Sequence, residues 1–456
     1  MWFEESVFYQ LYPLTLCGAP AVNAPVSGGA PAVSASVPGA APAVSAPVSG
    51  AAHKAGAPAG DGISRLAVFA PHLQKLGISG VYLNPVFESD SHGYDTRDYR
   101  VLDRRLGTNT EFRKIVDLYH SCGIRVVLDG VFNHVGRGFF AFRDVQEKKQ
   151  ASPYKDWFRI DFGGDTHFHD GFWYEAWEGH YELVRLNLEN PAVQQYLMET
   201  IDLWFREFDI DGIRLDVAYL LPLWFIAMVK DRIRAHKPDA FLLGEILGDN
   251  AGRFYDQGHV DAITDYPGYK GLWSSFNSFN LFELAHTIKR NYGEMYRGKQ
   301  LFSFADNHDV ERIATKLADP EKLPLIYGLL FTLPGIPCIY YGSEWGTEGR
   351  KEKGSDASLR PAFDAPRETE LTEKIAEMIR FRNASPELQT GAFKELRLQN
   401  RSFAFAREKD GNRTVCAINI DDAPAVIDIP DSGKVTVPAR TMLISRNGAE
   451  FSAFAE

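Results

Sequence analysis

Arg214 and Asp216 stand two residues apart in the stretch Gly-Ile-Arg-Leu-Asp-Val-Ala, residues 212–218. Their neighbours Ile213, Leu215 and Val217 read as a buried strand. Side chains alternate along a strand, so both charges face the same way. Burying two charges costs several kcal/mol each unless they are paired and hydrogen-bonded. Comparable polar groups follow other apolar runs. Glu245 closes "FLLGE", and Asn307, His308 and Asp309 follow "LFSFAD". Asp129, Asn133 and His134 lie in "VVLDGVFNHVG", and His92, Tyr94, Asp95 and Asp98 in "SHGYDTRDY". A single such residue reads as a capping aspartate or a satisfied core histidine. Acids and imidazoles at five strand ends read as one site. Asp216, Glu245 and Asp309 would converge there, and glycoside hydrolysis needs two carboxyl groups in different protonation states. The expectation is that Arg214 holds the Asp216 carboxyl down while burial and like charges hold Glu245 up.

These residues need strands to place them. Short apolar runs occur at Val7–Leu11, Gly80–Leu83, Arg125–Asp129, Gly212–Asp216, Phe241–Glu245, Ala262–Asp265, Leu301–Phe304 and Pro337–Tyr340. Each is followed by an amphipathic or loop-rich stretch, the pattern of parallel βα units. Eight such units predict an α/β fold, a (β/α)8 TIM barrel whose active site forms at the C-terminal ends of the strands. The barrel takes residues 1–132 and 188–385, with a small inserted domain at 133–187 after the third strand. A helix near Glu370–Arg382 closes it, and the alternating stretches of 388–456 predict a C-terminal antiparallel β domain. Residues 18–61 stand apart. No Asp, Glu, Lys or Arg occurs from Ser6 to His53, and Ala-Pro-Ala-Val recurs at Ala19, Ala30 and Ala41. Recurrent proline denies this stretch a regular helix. It reads as a low-complexity insertion in the first βα loop, and deleting 20–58 is expected to leave activity within a few fold.

The net charge is −11 and the chain is 45% apolar, which disfavours nucleic acid and anionic membrane as partners. No apolar run is long enough to span a bilayer. The four cysteines, Cys17, Cys122, Cys338 and Cys416, show no metal or disulfide spacing. A cytoplasmic protein with no required metal, Ca²⁺ being an open possibility, is expected, and the oligomeric state is left open.

"DGVFNHVG", "GIRLDVAYL", "GEIL" and "FADNHD", in that order, resemble the four signature regions of the α-amylase superfamily of retaining α-glycoside hydrolases. "GYDTRDYRVLDRRLGTNTEFRKIVD" and "GIPCIYYGSE" resemble sequence around its second and eighth strands. The likeness spans residues 1–17 and 62–360. It implies that Asp216 is the nucleophile, Glu245 the general acid/base and Asp309 the third acid. Arg214 is then the nucleophile's partner, His134 and His308 hydrogen-bond the sugar, and Tyr94 is the platform beneath it. Asp129 is expected to organise the loop after the third strand. The resemblance implies an α-glucan oligosaccharide substrate cleaved by double displacement.

"GRGFFAFRDVQEKKQASPYKDWF" resembles the cyclomaltodextrinase, neopullulanase and maltogenic amylase group, although Leu247 stands where that group often has Trp, and the extra N-terminal β domain usual in that group is not expected here. Ala218, Tyr219 and Leu220 stand where starch-cleaving endo-amylases have Lys-His. Hydrolysis of short malto-oligosaccharides or cyclodextrins is therefore expected. An exo-acting α-glucosidase, a transglycosylase and a non-catalytic carbohydrate-binding relative are the alternatives. Some amylases bind Ca²⁺ through the asparagine of the first signature region, here Asn133, but a hard cation needs six or more oxygens. No required cofactor is expected. Trp173, Tyr174 and Trp177 are candidates for the cleft lining, with half or more expected to pack the inserted segment. Glu178 and His180 are near candidates.

Overall fold

The computed structural model describes residues 1–19, 62–247, 251–353 and 355–455. The expected insertion at 18–61 therefore lies almost wholly outside the described residues. Eight parallel strands close a barrel: β1 (Phe8–Leu11), β2 (Gly80–Leu83), β3 (Arg125–Gly130), β4 (Gly212–Leu215), β5 (Phe241–Gly244), β6 (Ala262–Thr264), β7 (Gln300–Phe304) and β8 (Ile336–Tyr340). Neighbours around the ring are consecutive in sequence, and β1 pairs with both β2 and β8. The (β/α)8 expectation holds, with strands at the residues whose pattern announced them.

The two-residue period sorts the side chains. Tyr9, Val81, Val126, Ile213, Leu242, Ile263, Leu301 and Ile339 point outward into the large core beneath the helices. Phe8, Tyr82, Val127, Phe241, Leu243, Phe302, Phe304 and Ile336 fill the barrel interior. Moving toward the C-terminal end, the inward positions change character. Phe8 gives way to Gln10, Val127 to Asp129, Gly212 to Arg214 and Leu243 to Glu245. An apolar plug thus fills one end of the barrel and a buried polar layer the other. Gly212 is needed below Arg214, since a Cβ there would meet the Phe241 carbonyl oxygen at 2.5 Å.

Helices cover the ring. Asn109–Ser121 begins with a capping box in which Thr108 and Glu111 satisfy each other's backbone N–H. Glu370–Asn383 is the expected closing helix and is capped by Thr369. Between β3 and β4 lies an aromatic-rich segment. Its three-stranded sheet combines His134–Gly136, His180–Arg185 and Ala176–Trp177. After the closing helix, five antiparallel strands run in the order Ala392–Leu398, Ser402–Lys409, Asn412–Asn419, Thr441–Arg446 and Ser452–Ala455. Two buried guanidiniums, Arg382 on the closing helix and Arg407 on the sheet, meet at the end of helix Leu323–Thr332, and Arg407 joins the sheet to the barrel. Arg382 donates to the Phe331 and Gly335 carbonyls, and Arg407 to those of Thr332 and Gly391. They neutralise the carbonyl end of helix Leu323–Thr332, where a helix is partially negative. No helix among the described residues is long and apolar enough to cross a membrane.

Candidate active site

Register places Arg214 opposite Asp129 on β3 and Leu243 on β5. Its guanidinium is shared by three carboxylates. Nη1 donates to both oxygens of Asp129, at 2.8 and 2.9 Å, and to Asp216 Oδ1 at 3.0 Å. Nη2 lies 2.9 Å from Glu245 Oε1. All four side chains are buried. The opening puzzle of the sequence is thereby resolved: Arg214 and Asp216 face inward together, and Asp129 and Glu245 join them.

Two expectations need correction. Asp129 does more than organise a loop. It sits under the site, accepting from Arg214, from Tyr82 at 2.8 Å and from Tyr94 at 3.0 Å. Nor is the Asp216 carboxyl held down. Burial pushes it well above the usual carboxylate range; Arg214 opposes this, and Glu245, Asp129 and Asp309 add to it. A guanidinium divided among three acids cannot offset burial for each. Asp129 and Glu245 are raised as well, burial again being the largest cause and Arg214 the largest opposition.

Glu245 has further partners. The Val217 N–H donates to Oε2 at 2.8 Å, and Tyr266 donates to Oε1 at 3.3 Å. Val217 carries φ of 40°, a left-handed conformation unusual for a β-branched residue. This turn aims its N–H at Glu245 immediately after Asp216. Asp309 stands at the rim, about a third exposed, with Oδ2 3.1 Å from His308 Nε2 and Oδ1 3.2 Å from Arg360 Nη2.

The imidazoles are set by their neighbours. Gln10 Nε2 donates to His308 Nδ1 at 2.8 Å, which places the proton on Nε2. That nitrogen lies 2.6 Å from Tyr94 Oη, and the two rings stack at 5.7 Å with 7° between planes. Burial, then the Arg360, Arg214 and Lys351 charges, hold His308 neutral. Asn133 Nδ2 donates to His134 Nδ1 at 3.2 Å, so Asn133 orients the imidazole. Burial drives His134 down to about 3, so its ring is neutral. Its Nε2 is buried without a hydrogen-bond partner among the described residues.

Of the remaining candidates, Asp95 accepts from Ser91 and from the His92 and Gly93 N–H groups, which shapes its own loop. Asp98 accepts from the Arg100 N–H. His92 is drawn into the same loop by Asp95. Asn307 accepts from the Asp309 N–H. Tyr174 is buried in the inserted segment, Trp173 is exposed on it, and Trp177 lies 6.0 Å from the His134 ring.

Several contributors were not foreseen. Gln10, Asn84 and Tyr82 occupy the inward positions of β1 and β2 or the residue after β2. An amide inside the apolar run "FYQL" carried the same signal as Arg214. Arg360, which holds Asp309 and donates to the His308 carbonyl at 3.1 Å, lies in an aperiodic loop after β8. No pattern in that loop marks it. Among the described residues no cluster of three or more His, Cys, Asp or Glu is arranged to hold a metal ion.

The sequence family described as the catalytic domain of α-amylase matches residues 63–374. A cyclomaltodextrinase from Bacillus sp. is 32% identical over 442 residues, covering 92% of this chain and 74% of that protein. A maltogenic α-amylase from Bacillus acidopullulyticus is 35% identical over 331 residues, covering 69% of this chain and 54% of that protein. The chain thus spans about half the length of the second relative. Among solved structures, the cyclic α-maltosyl-(1→6)-maltose hydrolase of Arthrobacter globiformis superposes with a TM-score of 0.81 at 25% identity, over 98% of this chain and 99% of that one.

Proposed function

This chain belongs to the α-amylase family, and from that premise we propose that it hydrolyses α-glucosidic bonds of short malto-oligosaccharides and cyclodextrins with retention of configuration. The observation that carries the reading is the single guanidinium joining Asp216 to Glu245. Retaining enzymes need two carboxyl groups only about 5–5.5 Å apart, and one Arg touching both favours that spacing.

Asp129, Asp216 and Glu245 surround one positive charge. Three negative charges there would be uncompensated, so the buried cluster retains a proton. Burial raises both Asp216 and Glu245, and double displacement runs from the form in which that proton sits on Glu245 and Asp216 is the free carboxylate. Asp216 attacks the anomeric carbon while Glu245 gives its proton to the departing glycosidic oxygen. The bond to that oxygen breaks as an ester to Asp216 forms. Glu245, now a carboxylate, takes a proton from water, whose oxygen displaces Asp216. Two inversions leave the α configuration. Asp309, held by Arg360 and flanked by His308, presents a carboxylate to sugar hydroxyls. The unpartnered His134 Nε2–H supplies a donor. Tyr94, its hydroxyl fixed by Asn84, Asp129 and His308, offers its ring as the platform beneath the sugar. None of these steps draws on a metal.

The relatives support the substrate class: one is named a cyclomaltodextrinase and another acts on a cyclic maltosyl maltose. Chromatography of products from β-cyclodextrin, pullulan, maltotriose and maltose tests it. Ring opening with maltose and glucose accumulating is the expected result. Intact rings, with glucose released from maltose and maltotriose, would make the enzyme an exo-acting α-glucosidase.

A further inference from the structure

A chain of side chains runs from Asp129 to His308 beneath the reacting groups, and its hydrogen bonds admit one direction. In the form that reacts, with the cluster's proton on Glu245, the Asp129 carboxylate can only accept. Tyr82 and Tyr94 lie 2.8 and 3.0 Å from its Oδ2, and each hydroxyl gives its single proton there. Their oxygens then have only lone pairs for other neighbours. Asn84 Nδ2 stands 2.9 Å from Tyr82 Oη and 2.8 Å from Tyr94 Oη, so the amide turns its NH2 to both. That leaves Asn84 Oδ1 as an acceptor, and Gln10 Nε2 donates to it at 2.8 Å. The second hydrogen of Gln10 Nε2 goes to His308 Nδ1, also at 2.8 Å. His308 therefore carries its proton on Nε2, where Tyr94 Oη lies at 2.6 Å. Tyr94 then donates once and accepts twice, the full capacity of a hydroxyl. Turning over either amide, or both, would set acceptor against acceptor. Gln10, Asn84 and His308 are buried, so a lost donor is costly. Both hydrogens of the Gln10 amide are committed, neither of them to Asp216, Glu245 or Asp309.

We propose that Gln10 is a positioning residue for the reaction: it fixes the tautomer of His308 and, through the His308 Nε2–H, holds the Tyr94 ring in place as the sugar's platform. The proposal rests on Tyr94 having that role in the glycosidase reading above. The imidazole and the Tyr94 ring lie 5.7 Å apart and 7° from parallel, so a turn of one displaces the other. With the proton on Nδ1 instead, Nε2 would take the Tyr94 proton as its hydrogen bond and deprive Asp129 of it. Gln10 thus acts on the site from the inward face of β1 through two intermediaries, Asn84 and His308.

The test uses Q10E and Q10M, which keep the length of the side chain but offer at most one donor and none. NMR of protein labelled with ¹⁵N-histidine reads the His308 ring, identified by its absence from a His308→Gln sample. In wild type, Nδ1 is unprotonated and Nε2 protonated throughout pH 5 to 8, as burial and the nearby cations require. In Q10E, Nδ1 gains a proton, because a carboxylate beside it favours the N–H and the imidazolium. The other groups around His308 stay as they are: Tyr12, Tyr94, Asp309, Arg214, Arg360 and Lys351. The kcat/KM profile of Q10E on maltotriose therefore gains an ionisation that matches the ¹⁵N titration. In Q10M kcat/KM falls about tenfold or more, with no added ionisation. A wild-type ring protonated on Nδ1, or a Q10M that keeps kcat/KM within about twofold, overturns the inference. So do variants that only melt earlier, with the tautomer and the kcat/KM of the folded protein unchanged; Gln10 is then structural. Wild type that leaves maltotriose intact overturns the proposed substrate class, and the ¹⁵N spectra of wild type and Q10E still decide whether Gln10 sets the tautomer.

Discussion

Arg214→Met removes the guanidinium that Asp129, Asp216 and Glu245 share. Four contacts of 2.8–3.0 Å disappear at once, all between buried groups. Removing one partner of a buried ion pair costs about 3–5 kcal/mol. Losses from one cluster do not add, because the stranded carboxyls take up protons instead of remaining charged. The expected loss at pH 7.5 is about 4 kcal/mol, a fall of roughly 8 °C in midpoint at about 2 °C per kcal/mol for a large domain. The sign with pH follows from the raised carboxyls. Burial already lifts Asp129, Asp216 and Glu245 in the native state. A group raised by folding contributes stability that is complete below its unfolded value and is lost as pH rises through its folded value. Without Arg214 all three rise further, so the variant loses more than wild type between acid and neutral pH. The deficit should narrow steadily as pH falls from 7.5 toward 4.5 and the carboxyls take up protons in both proteins. Thermal unfolding followed by circular dichroism at pH 4.5, 6.0 and 7.5 measures it. A deficit independent of pH, or larger in acid, would refute the picture of one cation serving three buried acids.

Asp216→Asn should lower kcat by at least about 10⁴-fold and raise the neutral-pH midpoint, since one of the crowded carboxyls is gone; wild-type rates would remove Asp216 as the nucleophile. Because Glu245 is raised, the basic limb of the kcat/KM profile should fall above the ordinary glutamate value of about 4.3. Glu245→Ala should flatten that limb and lose far less on α-glucosyl fluoride, whose leaving group needs no proton; an equal loss on fluoride and maltotriose would assign the acid elsewhere. His134→Ala should cost about tenfold in kcat/KM, the worth of one buried hydrogen bond, beside a stability loss of about 1–3 kcal/mol from the Asn133 amide that it strands. A large stability loss without a kinetic one would make His134 structural.

The fold was legible because the barrel strands obey a two-residue period with a change from apolar to polar at one end. "GIRLD" and "FLLGE" announce both the strand and the end that faces substrate. The site was legible where a charged residue broke an apolar run. Gln10 broke such a run too, more quietly, because a buried amide is an ordinary core feature. Arg360 was invisible: its reach to Asp309 spans 51 residues of chain and depends on loop geometry. The partition of Arg214 was also hidden. Sequence spacing shows Asp216 as its neighbour, whereas strand register brings Asp129 against it from one side and Glu245 reaches it from just beyond the end of the other flanking strand. Local spacing therefore predicted a simple ion pair, and the burial of three acids around it reversed the direction of the shift at Asp216. Trp177 and Tyr174 are three residues apart with opposite fates, one beside His134 and one packed under the inserted sheet. An irregular segment with two-residue strands carries no period by which to tell them apart.

The most direct test of double displacement through Asp216 is the anomer first released. Maltotriose would be cleaved in an NMR tube and the anomeric proton signals followed before mutarotation equilibrates them. The account predicts that the new reducing end formed at the cleaved bond appears first as the α anomer, with β growing only by mutarotation. A product that appears first as β would mean a single displacement by water and would contradict a covalent glycosyl–Asp216 intermediate.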